Sequence, residues 1–321
     1  MNALVYLPLL VPVLAAAAAR PLAARLEPRL ATWLLTATTV ALAVFSTAAL
    51  ALLAASALAR VPFLAALGNY SQPVLRSGDP VPAVAGSAAA LLLTAAAVAV
   101  AVVIRARARA LAESYRRAAR MAPGGRVVVV PGHALEAYAL PGSPGRIVVS
   151  GRLLDVLDDR GQAALLAHEH AHLDGQHHLF TTVAHLAAAA NPLLIPVARA
   201  VDYTVERWAD ERAAAITGDR RLVASTIGRV ALLAATRPSR LRAAALGITG
   251  TLSITGPRGR PISLAWAGPI PRRVAALLAP PPRRQLTLLA IVAILILIAG
   301  ASAVEAARDL HALLEFAQTA H

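Results

Sequence analysis

At 321 residues the chain has room for one ordinary domain with several membrane spans, or for two small domains. Charged residues make up 15% and hydrophobic residues 58%, whereas a soluble domain has about 25% charged residues, so composition argues against an ordinary soluble protein. The formal net charge is +14 with arginine as the basic residue throughout, and the absence of cysteine excludes disulfides, thiolate metal ligands and a cysteine nucleophile.

The arginines follow the pattern of membrane topology more closely than that of nucleic-acid binding. They flank apolar segments, and neither a zinc finger nor an RNA-binding signature accompanies them. We therefore do not expect nucleic acid as a partner. We expect membrane lipid to surround much of the chain.

Four apolar segments approach or exceed the roughly 20 residues that a bilayer crossing needs. They are residues 4–19, 30–58, 81–104 and 286–304. The first is followed, not preceded, by basic residues, which is the reverse of a secretory signal peptide, so we predict a membrane span there.

The arginine-rich segments predict the orientation of these spans. Arginines cluster after the first span, after the third span and before the fourth, whereas the loop 60–80 contains only two. We therefore expect a multi-pass plasma-membrane protein with both termini extracytoplasmic. Its predicted parts are three transmembrane helices in 1–104, a cytoplasmic domain in 105–284, and a fourth transmembrane helix with a short extracytoplasmic tail in 285–321.

The cytoplasmic part has a mixed helix and strand pattern. A basic helix is expected over 104–121, and short β-branched or turn-bounded runs predict strands at 126–131, 137–140 and 146–150. Helical periodicity follows from residue 153, with Asp158 or Asp159 as the candidate N-cap. The Gly- and Pro-rich stretch 247–271 is predicted to be an irregular loop or hairpin.

The motif H-E-x-x-H occurs at His168, Glu169 and His172. On a helix the two histidines lie one turn apart on the same face, so both rings point at one spot and can hold Zn²⁺. Glu169 can then act on the attacking water as general base. The five-residue pattern also arises on helices with a solvated polar face, so it does not identify a site without a third ligand.

The third ligand is expected on a later helix, where Glu206 and Asp210 lie one turn apart. Glu206 would complete a His₂Glu set, and Asp210 could accept the free ring N–H of a ligand histidine. An ordinary solvated acidic face is the alternative, because Glu211 is adjacent. The apolar segment 179–201 is too short for two crossings, so we expect two helices broken at Asn191 that rest on the core or on the membrane surface.

Together these residues resemble the membrane-bound gluzincin peptidases, and most closely the BlaR/MecR-type family. The resemblance rests on H-E-x-x-H, on E-x-x-A-D at Glu206 and Asp210, and on the strand segments before the catalytic helix. It implies a mostly α, integral-membrane protein with four transmembrane helices and a cytoplasmic α+β zincin-like metalloprotease domain with a small sheet. It also implies an edge strand that binds substrate backbone, here Ala137, Tyr138 and Ala139.

The expected function is zinc-dependent hydrolysis of peptide bonds, with one Zn²⁺ per chain, in a cytoplasmic or membrane-proximal protein. The family implies a transcriptional repressor as a candidate substrate and self-cleavage as a candidate activating step. About 17 residues follow the fourth span, so the penicillin-binding sensor of the BlaR-type receptors is not expected.

Several alternatives stay open at this level. They are an HtpX-like quality-control protease, a non-catalytic zinc-binding membrane signalling protein and, less favoured, a transporter. Asn191 is a further candidate for the surroundings of the metal ligands, whereas His170, His177, His178 and His185 are expected to be structural or surface residues. The oligomeric state and the oxyanion-stabilising residue are left undetermined.

Overall fold

The computed structural model describes most of the chain, and its architecture is mainly helical. The described residues are 6–59, 61–63, 83–121, 125–131, 135–235, 269–280 and 286–319. Most of the predicted loop 60–80 and most of the segment 247–271 lie outside these ranges. Residues 269–271 of the latter belong to a helix, so the prediction of an irregular loop was wrong at its end.

Three N-terminal helices are long and apolar enough to cross a membrane, by length and composition. They are α1 (Leu7–Arg25), α2 (Pro28–Ala59) and α3 (Ala83–Arg120). Alanine and leucine dominate all three, which explains both their helicity and their hydropathy. The structure thus supports an integral-membrane protein. The third predicted span and the basic helix after it form one continuous helix of 38 residues, because the sequence contains no glycine or proline near residue 104.

A three-stranded mixed sheet follows α3. Its strands are β1 (Val127–Val130), β2 (Ala137–Leu140) and β3 (Arg146–Ser150), in the order β1-β3-β2. Strand β3 is central and fully buried, pairing in parallel with β1 and antiparallel with β2. The three predicted strands are confirmed, and β2 is an edge strand.

The next helices contain the candidate site. They are α4 (Gly151–Asp155), α5 (Asp159–Asp174), α6 (His177–Ala190), a 3₁₀ turn (Pro192–Leu194) and α7 (Ile195–Thr217). Asp158 caps α5 as predicted, because its carboxylate accepts the Gly161 N–H at 2.9 Å. The predicted helix break at Asn191 is confirmed as well, since α6 ends at Ala190.

Helices α6 and α7 form an antiparallel hairpin, which we call the α6–α7 hairpin. It packs against α1 and α2, and together they form the largest buried apolar cluster. The hairpin contributes Ala184, Leu194, Val197 and Val201 to that cluster, and the N-terminal helices contribute Ala15, Ala19, Leu35 and Leu42. The segment therefore rests on the helical core, as expected, and not on the sheet.

Three further helices complete the described fold, namely α8 (Arg220–Ala235), α9 (Pro269–Leu278) and α10 (Leu286–Thr319). Arg220 holds α9 in place by donating to Ala279 O at 2.6 Å and to Glu211 Oε1 at 2.6 Å. Helix α10 packs against α1 and α2 and covers the predicted fourth span, continuing well beyond residue 304. Its crossing of the membrane stays a prediction, as do the domain boundaries.

Candidate metal centre

Helix α5 presents two imidazole rings on the same face. His168 and His172 are one turn apart, and their Nε2 atoms lie 3.1 Å from each other. One turn earlier on α5, Ala164 and Ala167 are buried against α7 and α8. Because that packing fixes the rotation of α5 about its axis, the two rings are held against α7, where Glu206 lies.

Helix α7 brings Glu206 to the same spot. Glu206 Oε2 lies 3.7 Å from His168 Nε2, and its Oε1 lies 3.6 Å from His172 Nε2. Donor atoms of the three residues all lie within 4.8 Å of one another. A tetrahedral zinc ion with ligand distances of about 2.0–2.1 Å separates its ligand atoms by about 3.3–3.4 Å. The spacings of 3.1–3.7 Å therefore fit one zinc ion.

The side chain of Asp210 backs the first histidine. Its Oδ1 lies 3.0 Å from His168 Nδ1, although the ring N–H does not point straight at the carboxylate. Asp210 is buried, with 2% of its surface exposed. A carboxylate behind a ligand histidine fixes which ring nitrogen faces the metal. The structure thus brings Asp210 to the place that the sequence predicted for it.

Arg273 on α9 is a site residue that sequence reasoning missed. Its Nε and Nη2 bind the two oxygens of Asp210 at 2.7 and 2.6 Å, and its Nη1 lies 2.7 Å from Glu206 Oε2. One buried guanidinium therefore joins both acidic residues of α7. In the sequence this arginine only added to the positive charge that predicts the membrane orientation. It is 63 residues away from Asp210, so no local pattern indicates their contact.

His177 is a second residue whose place the sequence did not reveal. It is 2% exposed, and its Nδ1 lies 3.0 Å from His172 Nδ1. A hydrogen bond there leaves His172 Nε2 free to face a metal. The turn between α5 and α6 makes the contact, since Gln176 has a φ of +47° and folds the chain back on itself. A ligand histidine needs a hydrogen-bond partner for its second ring nitrogen, and this requirement is the signal that could have indicated His177.

The charges around the three candidate ligands favour an added cation. Burial disfavours protonation of His168, but its contacts with Asp210 and Glu206 outweigh burial and raise its pKa to about 10. Burial lowers the pKa of His172 to about 4. The pKa of Glu206 lies well below its ordinary value although burial opposes this, because Arg273 and the two histidines stabilise its charge. The proton on His168 and the guanidinium of Arg273 balance the two ionised carboxylates, and a divalent ion would take the place of that proton, so it suits the donor set.

Glu169 is buried beside this cluster. It is 8% exposed, and burial raises the pKa of its carboxyl group. The charges of His168 and Arg273 act in the opposite direction, and so does a hydrogen bond from the Ala139 N–H. Glu169 thus lies between the candidate metal ligands and edge strand β2. A carboxyl group with a raised pKa in this position is suited to accept a proton near neutral pH.

The other histidines and Asn191 lie apart from the three candidate ligands. His170 Nδ1 lies 2.8 Å from Leu166 O on its own helix, and His185 Nε2 lies 3.0 Å from Asp202 Oδ2. Asn191 was expected near the metal ligands. The structure instead places it at the far end of the α6–α7 hairpin, where its amide donates to Ser46 Oγ at 3.0 Å. About eleven residues of helix separate it from Glu206, roughly 16 Å, so that expectation was wrong.

Comparison with known proteins gives one match. Residues 101–189 match the sequence model of Peptidase family M48, a range that contains His168, Glu169 and His172 and ends before Glu206. No curated protein and no solved structure matches the chain. The match supports a metallopeptidase, and zinc is the metal of that family. It does not distinguish a BlaR/MecR-type protein from an HtpX-like one.

Proposed function

We propose that this protein is a membrane-embedded, zinc-dependent endopeptidase. The observation that carries the proposal is the convergence of His168, His172 and Glu206, with donor atoms within 4.8 Å of one another, beside the buried carboxyl group of Glu169. The family match over the same helix also supports it. In this proposal His168, His172 and Glu206 hold one Zn²⁺ per chain.

A metal held at this site would supply Lewis acidity, and the protein supplies the proton transfer. A zinc ion held by these three residues would act as a Lewis acid that activates water and polarises the scissile carbonyl. Glu169 takes a proton from the attacking water and later gives it to the leaving amine. Asp210 keeps His168 oriented through Nδ1, the ring nitrogen that faces away from the cluster, and Arg273 holds Asp210 and Glu206 in place by binding both carboxylates.

Edge strand β2 is the proposed binding site for the substrate backbone. Ser150 N donates to Glu136 O at 2.9 Å, and this antiparallel register makes Tyr138 the next residue whose backbone bonds to β3. The backbone groups of Ala137 and Ala139 consequently point to the free edge. The hydrogen bond from the Ala139 N–H to Glu169 agrees with that direction. A peptide that pairs with this edge would bring its scissile bond next to Glu169.

The proposal also covers the cellular location of the enzyme and the class of its substrate. The arginine distribution favours a plasma-membrane protein with the peptidase domain, residues 105–284, on the cytoplasmic side. The substrate would then be a cytoplasmic or membrane-proximal protein. A BlaR/MecR-type role would make that substrate a transcriptional repressor, and an HtpX-like role would make it a damaged membrane protein.

Replacement of Glu169 by glutamine tests the function. The variant keeps its shape and its metal ligands but loses the base, so we expect full zinc content and a loss of proteolysis of about 10²–10⁴-fold. The measurement is casein cleavage by the full-length protein in proteoliposomes, together with zinc analysis of the same preparation.

Glu113→Gln on the exposed surface of α3 is the matched control, and we expect wild-type zinc content and cleavage for it. Unchanged cleavage by the Glu169 variant would remove Glu169 as the base. A wild-type protein that binds zinc and cleaves nothing would instead favour a non-catalytic zinc-binding membrane signalling protein.

A further inference from the structure

We propose that the α6–α7 hairpin is a re-entrant membrane element, which enters the lipid bilayer beside α1 and α2 and returns to the same side. Its tip, residues 191–196, would contact lipid acyl chains. The proposal goes beyond the peptidase function and rests on the depth of the hairpin, the hydrogen bonds of its turn and its exposed side chains.

The depth of the hairpin follows from two polar contacts with α2. Thr32 Oγ1 lies 3.0 Å from Thr204 Oγ1 near the base of the hairpin, and Asn191 Nδ2 donates to Ser46 Oγ at its tip. Fourteen residues of helix separate Thr32 from Ser46, which is about 21 Å. The hydrocarbon core of a bilayer is about 30 Å thick. The hairpin therefore runs beside a candidate span over about two-thirds of that thickness.

Contacts that involve α1 give the same depth. Arg207 of the hairpin donates to Ala23 O at 2.6 Å near the end of α1. At the tip, Ser46 of α2, which accepts from Asn191, donates in turn to Pro8 O at 2.9 Å near the beginning of α1. Helix α2 continues for thirteen residues past Ser46, about 20 Å. Because α2 extends so far beyond the tip, a membrane that holds α2 surrounds the tip as well.

The turn at the tip satisfies its own backbone N–H groups. Backbone polar groups in the hydrocarbon region have no water to bond and need partners within the protein. Asn191 N donates to Ala187 O, Leu193 N to Asn191 Oδ1, Leu194 N to Asn191 O and Ile195 N to Pro192 O. Pro192 and Pro196 have no N–H to satisfy. Every backbone donor from Asn191 to Pro196 is thus either bonded or absent.

The surface of the tip is apolar where it is exposed. Leu193 and Ile195 are 47% and 41% exposed, and residues 186–198 contain no charged side chain. The 3₁₀ turn at the tip packs against α1, whose own exposed side chains include Leu10 and Leu14. Exposed apolar side chains beside a candidate span need a partner, and we assign lipid to that place.

The charged residues of the hairpin lie nearer its base. His185 and Asp202 contact each other, with His185 Nε2 3.1 and 3.0 Å from the two Asp202 oxygens. Arg199 is one turn away from Asp202, and its long side chain can extend towards the membrane surface. The ionisable groups are therefore paired, or close enough to the interface to reach it.

An inserted hairpin would fix the candidate metal site at the membrane surface. Glu206 lies two residues from Thr204, and nearby Trp33, Phe180 and Trp208 form a chain of edge-to-face ring contacts typical of a membrane interface. In combination with the peptidase function proposed above, and dependent on it, this predicts cleavage of peptide segments held close to the bilayer.

Single cysteines test the insertion, since the natural chain contains none. Leu193→Cys and Ile195→Cys, each bearing a nitroxide label, would be examined in vesicles containing the full-length protein. Collisions with oxygen report lipid exposure, and collisions with a water-soluble nickel chelate report water exposure. We expect oxygen-rich and nickel-poor labels at both positions.

Two labelled positions calibrate the result. Val98→Cys on the exposed apolar face of α3 is the lipid reference, and Ile216→Cys at the opposite end of α7 is the water reference. Labels at the tip that resemble Ile216 would overturn the proposal. Labels shielded from both reagents would also overturn it, because the tip would then be packed against protein. The measurement needs no turnover, so its outcome is independent of the Glu169 test.

Discussion

Arg273 provides positive charge that balances the negative charge of Glu206 and Asp210 on α7. Asp210 is buried and Glu206 is partly buried, and the guanidinium bonds to both within 2.6–2.7 Å. A buried ion pair adds little net stability, but removal of one partner leaves an uncompensated charge. Arg273 therefore acts on the candidate metal site through the carboxylates of Glu206 and Asp210.

Replacement of Arg273 by glutamine should destabilise the protein by about 3–5 kcal/mol. Zinc should restore part of that loss, because a divalent ion neutralises Glu206 in place of the guanidinium. Thermal unfolding of the detergent-solubilised chain with added zinc and with a chelator measures both effects.

Arg272→Gln is the matched control for that change. Arg272 lies over the ring of Tyr203 at 4.2 Å and makes a cation–π contact of about 0.5–2 kcal/mol, with no expected response to zinc. If the two variants lost the same stability and responded alike to zinc, Arg273 would have no special relation to the site.

Helices α5 and α6 are joined by a turn whose geometry positions His177 on His172. Gly175 allows this closeness, since a Cβ atom at residue 175 would lie 2.4 Å from His177 Nε2 and 2.9 Å from Ala171 O. The His177 ring also packs on Trp208 of α7, with ring centroids 4.6 Å apart. One tight turn thus links the helix with two candidate ligands to the helix with the third.

Gly175→Ala should weaken zinc binding by about 10–100-fold, as the loss of other partners of ligand histidines does. The added methyl group forces the His177 ring away from His172, and His172 then loses the contact that fixes its tautomer. Zinc affinity measured by competition with a chromogenic chelator checks this.

The helical Gly228 offers a control, because a Cβ atom there meets nothing within 4 Å. Gly228→Ala should leave zinc affinity unchanged and raise stability by up to about 1 kcal/mol through helix propensity. Equal zinc affinities for the Gly175 and Gly228 variants would mean that His177 does not position His172.

The elements that could be predicted from sequence are those with a local cause. The β-branched run at Val127–Val130, the Asp158 cap and the i,i+4 histidines each depend on a few neighbouring residues, and the structure places them as expected. Arg273 and the depth of the α6–α7 hairpin depend on packing between distant segments. Apolar periodicity in residues 179–201 indicated two helices, but periodicity cannot tell a membrane interior from a protein core.

At the scale of the whole molecule, the candidate metal site lies where the candidate membrane helices α1 and α2 meet the proposed peptidase part, residues 105–284. Helix α7 contacts α1 and α2 on one side and α5 on the other. Next to Glu206, the buried Arg207 binds carbonyl oxygens at the end of α1, whereas Trp208 packs on His177 and Phe180. Three consecutive residues thus join the candidate metal ligands, the α1–α2 connection and the aromatic cluster.

Removal of zinc should therefore loosen the junction between the two parts of the molecule. A ligand at 1,000 times its dissociation constant stabilises the folded state by about 4 kcal/mol. Chelation should lower the thermal midpoint of the peptidase part and change the fluorescence of Trp208, while the long apolar helices α2 and α3 stay folded.

Zinc added after chelation should restore both signals, whereas calcium should not. The His₂Glu donor set suits zinc better than calcium, which prefers oxygen ligands only. An unchanged midpoint in protein shown by elemental analysis to have lost its metal would contradict this coupling, since the three ligands would then contribute nothing to holding α5 against α7.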